Sequence, residues 1–368
     1  MRTLCLLAVS LGVALYAHGD ERWTVEAQRD ALRRAVIWQP PSVPIESADL
    51  GTTPNPFPRE IACRFLVDTL NGLTPKFECE TADGEKLKVK YSGAEPYGEV
   101  AATRLLRALG FSVDRVDMVR RVRCYGCPRF PFPTLKVVQL VGADRLFARG
   151  LDYDVAVDFE WVAVERKHPG TPIETADGKG WAFHELVKVP TASPVHRDAL
   201  LLVAVFLAHW DNKPENQRLV CLADARPSDG RCARPIAMLQ DVGGTFGPRK
   251  IDLAGWKQAA IWKDRASCTV TMAGLPHGGA TFVDTPVSEE GRQFLARRLT
   301  RIRDEQIAAL FRGARFDQHD GTIGEWTAVF KARVASIAEG PRCPPVARQS
   351  SRSTPASTVT PSRVMAWK

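Results

Sequence analysis

The pattern of apolar and polar positions predicts a strand-rich region followed by a helix-rich one. Alternation is clearest in 85–91, where lysines at every second position alternate with apolar residues in the period-2 pattern of a half-buried strand. An apolar stripe at helical spacing follows in 96–109 and stops at Gly110. The first region is therefore predicted to contain strands at 61–69, 75–81 and 85–91, a helix at 96–109 and a strand at 113–122.

The stretches around this region carry weaker patterns. A short helix is expected in 29–38, within a lead-in segment whose many prolines disfavour regular structure. Beyond residue 122 the sequence predicts a loop rich in Pro and Cys at 124–133, followed by a strand at 134–141. An extended segment is expected at 154–165 and a short helix at 181–189.

The second region begins with a continuous apolar run, Ala199 to Leu207, which is typical of a buried helix. Two short strands are expected at 218–222 and 236–239. Ser288 followed by two glutamates favours a helix start, and further helices are predicted at 303–312 and 323–339. From Pro341 onward Pro, Ser and Thr dominate, so this tail is expected to be disordered.

Two motifs carry candidate chemistry. Residues 209–216 read HWDNKPEN directly after the buried helix, and residues 241–243 read DVG at the end of a strand. Either motif alone would fit an ordinary turn. Together and in this order they resemble the catalytic loop and the metal-binding Asp of protein kinases. The resemblance implies that Asp211 orients the attacking hydroxyl, while Asn216 and Asp241 hold Mg²⁺ (or Mn²⁺) on ATP.

The strand-rich region is similar in order to the first part of a kinase. The resemblance assigns Lys90 to the nucleotide phosphates and Glu99 to the partner of that lysine, with Lys88 as the second candidate lysine. Taken alone, these residues would fit a solvated strand face and a favourable charge in a helix first turn.

The turn that would cover the nucleotide departs from the glycine-rich loop of ordinary protein kinases. It has one glycine, Gly72, with the hydroxyl of Thr74 as a further phosphate contact. Together with the sequence DVGGTFG at 241–247, this favours the atypical branches of the superfamily: phosphoinositide kinases, HipA-type toxin kinases, spore-coat kinases or secreted casein-type kinases. No Walker motif is present, so a P-loop is excluded as the phosphate binder.

Composition and charge exclude little else. The chain of 368 residues has a formal net charge of +8, but the basic residues are dispersed. Without a basic run interleaved with aromatics, nucleic acid is not an expected partner. The charge supports only a weak preference for acidic partners.

The N-terminus predicts export. A short positive start, an apolar stretch from Leu4 to Tyr16 and the small residues that follow describe a secretory signal peptide over 1–19. The apolar stretch is shorter than the ~20 residues that span a membrane, and no other segment is long and apolar enough, so no membrane span is expected. A periplasmic or extracellular location follows.

Eight cysteines remain after such a cleavage, an even number consistent with an oxidising compartment. Cys63 and Cys79 lie symmetrically about Asn71-Gly72, a hairpin signal, and are expected to face each other. Cys221 and Cys232 bracket a loop over 222–231. Cys124-x-x-Cys127 favours a disulfide over a redox or zinc motif. Cys268 and Cys343 are left either paired or free.

These observations predict an α+β, bilobal protein-kinase-like fold in an exported bacterial-type member of the superfamily. The β-rich N-terminal lobe and the mainly helical C-terminal lobe would be joined by a hinge and insertion. The expected segments are a signal peptide (1–19), a lead-in (20–60), the first lobe (61–141), the hinge and insertion (142–192), the second lobe (193–340) and a disordered tail (341–368).

The expected activity is transfer of the ATP γ-phosphate to an acceptor that the sequence does not identify. A pseudokinase that binds a nucleotide or a partner without transfer stays open, as does AMP transfer on the same fold. An exported structural protein without a nucleotide site is the remaining alternative. Oligomeric state is left open.

Overall fold

The computed structural model describes residues 23–191, 193–222 and 231–345, and within them the chain is a mixed α+β protein. The helices are α1 (Val25–Arg34), α2 (Glu95–Leu109), α3 (Pro131–Leu140), α4 (Asp144–Arg149), α5 (Phe183–Lys188), α6 (Pro194–Leu207), α7 (Leu253–Gln258), α8 (Glu289–Leu299), α9 (Asp304–Gly313) and α10 (Ile323–Ala338). The strands are β1 (Glu60–Leu66), β2 (Lys76–Glu80), β3 (Lys86–Lys90), β4 (Arg115–Tyr125), β5 (Ala156–Arg166), β6 (Thr171–Pro172), β7 (Gln217–Cys221), β8 (Pro235–Leu239), β9 (Trp262–Asp264), β10 (Thr269–Val270) and β11 (Thr285–Pro286).

Five strands close into a barrel in the order β1-β2-β3-β5-β4. All neighbours pair antiparallel except β1 and β4, which are parallel. Alternation explains the barrel core, because every second side chain of a strand points to the same face. Phe65, Phe77 and Val89 are fully buried in one apolar cluster, with Val164 of β5.

Helix α2 joins the barrel to a second and larger apolar core. Its Val100, Leu105 and Leu109 are buried among residues of α6, α8 and α10. Gly110 ends the helix at φ 94°, and a side chain there would collide with Trp38 and Gln39 of the lead-in. This places Glu99, midway along α2, between the barrel and the larger core.

Helix α6 is the centre of the larger core, and every residue from Asp198 to Leu207 is buried. Arg333 of α10 fixes its C-terminal end by donating hydrogen bonds to the carbonyls of Val205 (2.9 Å) and Phe206 (3.0 Å). Burial lowers the pKa of Arg333 to about 9. The exit of α6 into residues 209–216 is therefore held from inside the core.

Most predicted elements are confirmed, with boundaries moved by a few residues. One is wrong: residues 134–141, expected as a strand, belong to helix α3. Pro131 begins that helix, where a missing N–H costs nothing. After Pro131 only Leu135 and Val138 of this helix are buried, and the apolar residues around them hide this three-residue spacing in the sequence.

The lead-in segment is more ordered than its prolines suggest. Thr24 caps α1, whose first turn starts four residues before the predicted one. Val36 then bridges to Ile236 of β8, and Trp38 bridges to Phe111 after α2. The segment thus packs on the larger core.

Four disulfides are formed, Cys63–Cys79, Cys124–Cys127, Cys221–Cys232 and Cys268–Cys343. The predicted pairings of Cys63 with Cys79, Cys221 with Cys232 and Cys124 with Cys127 are confirmed, and Cys268 is paired rather than free. Four disulfides fit an oxidising environment.

Three features named from the sequence lie outside the described residues: the signal segment 1–19, the loop 223–230 and the tail beyond 345. In the described part of the chain, no helix has the length and apolar character to span a bilayer.

Candidate functional site

Lys90 is the centre of a buried ion-pair cluster. Lys90 is the last residue of strand β3. Its side chain points to the opposite face of the strand from that of Val89, so it is directed out of the barrel core and toward α2. Its ammonium lies 2.6 Å from Oε1 and 2.7 Å from Oε2 of Glu99. Both residues are only 1% exposed. The structure thus joins the strand lysine to the helix glutamate named from the sequence.

Glu165 is a member of this cluster that sequence reasoning missed. Strand β5 pairs with β3 so that Glu165 is opposite Lys88. Its carboxylate lies 2.6 Å from the Lys88 ammonium and 3.3 Å from that of Lys90. A glutamate at the end of the apolar run Trp-Val-Ala-Val in 161–164 was the available signal, since a buried charge needs a partner.

The hairpin of β7 and β8 brings Asn216 beside Asp241. Gln217 pairs with Leu239, and just beyond them the Gln240 amide donates to the Asn216 carbonyl at 2.7 Å. Asp241 then turns at φ 51°. Its Oδ1 lies 3.0 Å from the Lys90 ammonium, and 30% of its side chain is exposed.

Asp211 lies on the loop that follows α6. Ala208 ends the helix in the left-handed conformation, at φ 54°. The side-chain amide of Asn216 donates to the Asp211 carbonyl at 2.6 Å. The Asp211 carboxylate is 32% exposed, with the Lys213 ammonium 3.4 Å away. Asp211 therefore reaches solvent from a loop that Asn216 closes.

The segment after Asp241 packs on this loop. The Trp210 amide donates to the Gly244 carbonyl at 3.1 Å, and its indole donates to Gly247 at 3.0 Å. A methyl group at Gly244 would lie only 2.8 Å from Cβ of Asp211. Glycine is thus required for the two segments to approach as they do.

The two residues expected in the phosphate-covering turn lie in different surroundings. Gly72 (φ 78°) lies on the loop between β1 and β2 and lines the cleft described next. Thr74 instead donates its hydroxyl to the carboxylate of Glu95, which also pairs with Lys250. The hydroxyl of Thr74 is thus engaged within the protein.

A cleft of about 670 Å³ runs between this loop and residues 213–218 and ends at Asp241. This volume is ordinary for a small-molecule site. Its cations outnumber its carboxylates, which favours an anionic ligand. The cations are Lys76, Lys88, Lys167, Lys179, Lys213 and Arg218, against Glu78, Glu174, Glu215 and Asp241.

Lys76 is a second cleft residue that the sequence did not single out as a separate contact. It pairs with Lys90 across β2 and β3, so the two lysines share one face. Burial lowers the pKa of Lys76, and Lys90 and Lys88 lower it further against the pull of Asp241. An incoming polyanion would relieve this crowding of ammonium groups.

Burial and charge act against each other in the cluster. Burial disfavours the charged forms of Lys90 and Asp241, but their mutual attraction outweighs it, so the pKa of Lys90 is raised and that of Asp241 is held below its usual range. Burial also opposes the charge of Glu165, yet Lys88 and Lys90 lower its pKa to about 2. These three groups are charged at neutral pH.

Glu99 behaves in the opposite way. Burial raises its pKa to about 8, with further contributions from Asp241 and Glu165, although Lys90 opposes the change. The charge count adds to the effect of burial, because two ammonium groups face three carboxylates. An added cation at Asp241 would remove this imbalance.

His209 is fully buried, and burial lowers the pKa of its imidazole to about 4 against the attraction of Asp211 and Asp241. It is therefore neutral at pH 7. The next loop residue with a structural role is Asn212, whose amide donates to the His209 carbonyl at 2.9 Å and whose Oδ1 accepts from Thr281. The Asn212 side chain thus braces the loop that carries Asp211, with the His209 carbonyl as one of its two anchor points.

The lining of the cleft contains one carboxylate, Asp241, and one side-chain amide, Asn216, as candidate ligands for a divalent cation. No group of three or more His, Cys, Asp or Glu in the described residues forms a metal site by itself. The side-chain nitrogen of Asn216 donates to the Asp211 carbonyl, and its backbone carbonyl accepts from Gln240. Within the described residues no hydrogen-bond donor contacts its Oδ1. One carboxylate and one amide oxygen suit Mg²⁺, which completes its shell with phosphate oxygens and water.

Comparisons with known proteins leave the family of this chain open. No family model matches it, and no curated protein matches it either. Among solved structures it is similar to the crystal structure of a proinflammatory kinase, CtkA, from Helicobacter pylori, with 10% sequence identity and a TM-score of 0.42. The match covers 76% of this chain and 96% of that one. A similarity at this identity and TM-score assigns neither a family nor a reaction to the chain.

Proposed function

We propose that this protein is an exported, atypical kinase-like phosphotransferase that moves the γ-phosphate of ATP to an acceptor hydroxyl. The observation that carries the proposal is the contact of one buried ammonium, Lys90, with both Glu99 and Asp241 at the end of a basic cleft. Phosphoryl transfer needs this combination of fixed positive charge and a carboxylate for metal.

The proposed architecture is bilobal. Residues 61–141 would form the β-rich lobe, 142–192 the hinge and insertion, and 193–340 the helical lobe. The barrel supports a β-rich lobe, but its strand β5 (Ala156–Arg166) lies within 142–192, so this strand belongs to that lobe and not to the insertion. The core around α6 supports the helical lobe. The nucleotide would lie in the cleft between the β1–β2 loop and residues 213–218.

Each site residue then has a role that its surroundings support. Lys90, held by Glu99, and Lys88, held by Glu165, neutralise phosphate oxygens, and Gly72 lets the covering loop approach them. Thr74 is a phosphate contact only if its hydroxyl leaves Glu95. Asp241 and Asn216 would hold Mg²⁺ or Mn²⁺, which would supply positive charge to the phosphates.

Asp211 acts on the acceptor. Its exposed carboxylate accepts the hydrogen bond of the acceptor hydroxyl and takes up its proton. The acceptor oxygen forms a bond to the γ-phosphorus while the bond from that phosphorus to the bridging oxygen breaks, so ADP leaves. Lys213, 3.4 Å from Asp211, offers positive charge beside the transferred group.

Export is part of the proposal. The four disulfides support an oxidising compartment, and the signal sequence expected over 1–19 supplies the route. The periplasm and the cell exterior both satisfy this requirement.

The first test is thermal unfolding of the oxidised protein with ATP and Mg²⁺ or Mn²⁺. A ligand at one hundred times its dissociation constant stabilises the folded state by about 2.7 kcal/mol. We expect a metal-dependent rise in Tm that Asp241→Ala abolishes and that Asp317→Ala, at an exposed carboxylate elsewhere, preserves. No rise with either metal at millimolar ATP would overturn the proposal.

Labelled nucleotide separates the possible reactions. Label from the γ-phosphate should appear on an acceptor or on the protein itself, and label from the α-phosphate should not. Transfer of the α-label instead would assign AMP transfer. A Tm rise without transfer of either label would leave a nucleotide-binding module.

A further inference from the structure

A second cavity of about 550 Å³ lies between the lead-in segment and helix α2. Its lining shares no residue with that of the cleft at Asp241. Its apolar lining residues include Pro40, Pro41, Val43, Pro54, Phe111 and Val113. The volume is within the range of sites for small molecules, roughly 300–1,000 Å³.

The lining also contains an incompletely paired guanidinium. Arg104 is only 6% exposed, and its Nη1 donates to the Gly51 carbonyl at 2.6 Å. Its Nε is buried without a hydrogen-bond partner, and no carboxylate of the described residues lies within 4.0 Å of the group. Burial lowers the pKa of Arg104, although Asp117 and Asp49 oppose the change. A buried cation in this state is costly.

Arg107 adds a second guanidinium one helical turn later. Residues three apart lie on the same face of a helix, so both groups line the cavity. Within the described residues Arg107 forms no ion pair or side-chain hydrogen bond. The cavity lining therefore contains a buried arginine and an exposed arginine together with apolar residues.

The neighbouring acids do not neutralise them. Asp117 is engaged by the Thr53 hydroxyl at 2.6 Å and the Arg115 guanidinium at 3.0 Å. Asp49 lines the cavity, and its Oδ1 accepts from the Gly51 amide at 2.8 Å. The cavity keeps two cations against one carboxylate.

We infer that this cavity binds a small amphipathic anion, a molecule with an apolar body and one carboxylate or phosphate group. The anionic group would accept hydrogen bonds from the two guanidinium groups. The planar arrangement of their N–H donors matches the oxygens of a carboxylate and those of a phosphate. The body would lie against Val43, Phe111 and the prolines. This site is independent of the nucleotide cleft and does not rest on the proposed function.

Phenyl phosphate is the probe, with phenol and inorganic phosphate as its separate halves. Isothermal titration on the oxidised protein should give saturable, one-site binding of phenyl phosphate, at least tenfold tighter than binding of either half. Arg107→Met and Val43→Asp should each weaken it at least tenfold. Both positions are exposed enough to change without unfolding the chain, and circular dichroism checks this.

Two controls locate the site. Arg312→Met, at an exposed arginine of α9, and Lys76→Met, in the nucleotide cleft, should leave the affinity unchanged. Absence of saturable binding would overturn the inference. So would loss of binding in Lys76→Met rather than Arg107→Met, or inorganic phosphate binding as tightly as phenyl phosphate.

Discussion

Lys90 and Asp241 are 151 residues apart in the sequence, yet the ammonium of one lies 3.0 Å from the carboxylate of the other. This ion pair joins strand β3 of the barrel to the segment that follows β8. The cluster around it therefore requires that both parts of the chain have folded.

Loss of the Lys90 charge should destabilise the fold. Lys90→Met leaves Glu99 and Asp241 without their shared cation, and Glu165 with Lys88 alone. Removing one partner of a buried ion pair costs about 3–5 kcal/mol. Denaturant unfolding without nucleotide measures this loss. Lys167→Met, at a lysine that is 60% exposed, is the matched control and should change stability by less than about 0.5 kcal/mol.

The double variant Lys90→Met/Glu99→Leu isolates the cause of that loss. It should recover part of the stability lost in Lys90→Met, because a buried carboxylate is removed together with its cation. A double variant no more stable than Lys90→Met would show that packing of the lysine stem, and not unpaired charge, is responsible.

Asp211→Asn should separate binding from transfer. The side chain is 32% exposed and bonds no buried group, so the free energy of unfolding and the ATP-dependent rise in Tm should both persist. Transfer of the γ-label should fall at least a hundredfold, since a positioned base contributes about 10²–10⁴. Unchanged transfer would exclude Asp211 from the reaction.

Gly244→Ala tests the position of Asp211 rather than its charge. The added methyl group would lie 2.8 Å from Cβ of Asp211 and must displace it. We expect transfer to fall about tenfold or more with ATP affinity retained, because a small misplacement of a reacting group is costly. Gly324→Ala is the control, since its nearest neighbour atom would be 3.9 Å away.

The pH dependence of stability should contain a contribution from His209. Its folded-state pKa of about 4 is below the ordinary value of 6.5, so the unfolded chain binds more protons between these values. The contribution of His209 to the free energy of unfolding is fully present above pH 6.5. This contribution, about 3 kcal/mol, is lost as the pH falls to 4. Unfolding of His209→Phe across this range should show a correspondingly smaller loss. Equal losses in both proteins would contradict the assignment.

Local sequence signals were sufficient for much of the fold. Lysines at alternate positions of β3, the uninterrupted apolar run of α6 and the Ser288 cap each depend on neighbours in sequence, and the strand and the two helices are confirmed. A solvated lysine face on β3 is not, because Lys90 is 1% exposed and the Lys88 side chain 16%. Helix α3 was missed because apolar β-branched residues, such as Val137 and Val138, are equally typical of strands.

The site was less accessible from the sequence for a physical reason. Glu165 acquires its role only because β5 pairs with β3, and Lys76 only because β2 does. Thr74 was named as a phosphate contact, but the sequence gives no sign that Glu95 takes its hydroxyl. Such contacts depend on strand register and loop path, which no local pattern encodes.

The disulfides divide in the same way as the apolar cores. Cys63–Cys79 and Cys124–Cys127 lie in the barrel cluster, whereas Cys221–Cys232 and Cys268–Cys343 lie in the larger core. None of these four covalent cross-links spans the cleft. Disulfide formation can therefore rigidify the barrel and the larger core separately without fixing the width of the cleft between them. The Lys90–Asp241 ion pair is a non-covalent contact that connects the two parts.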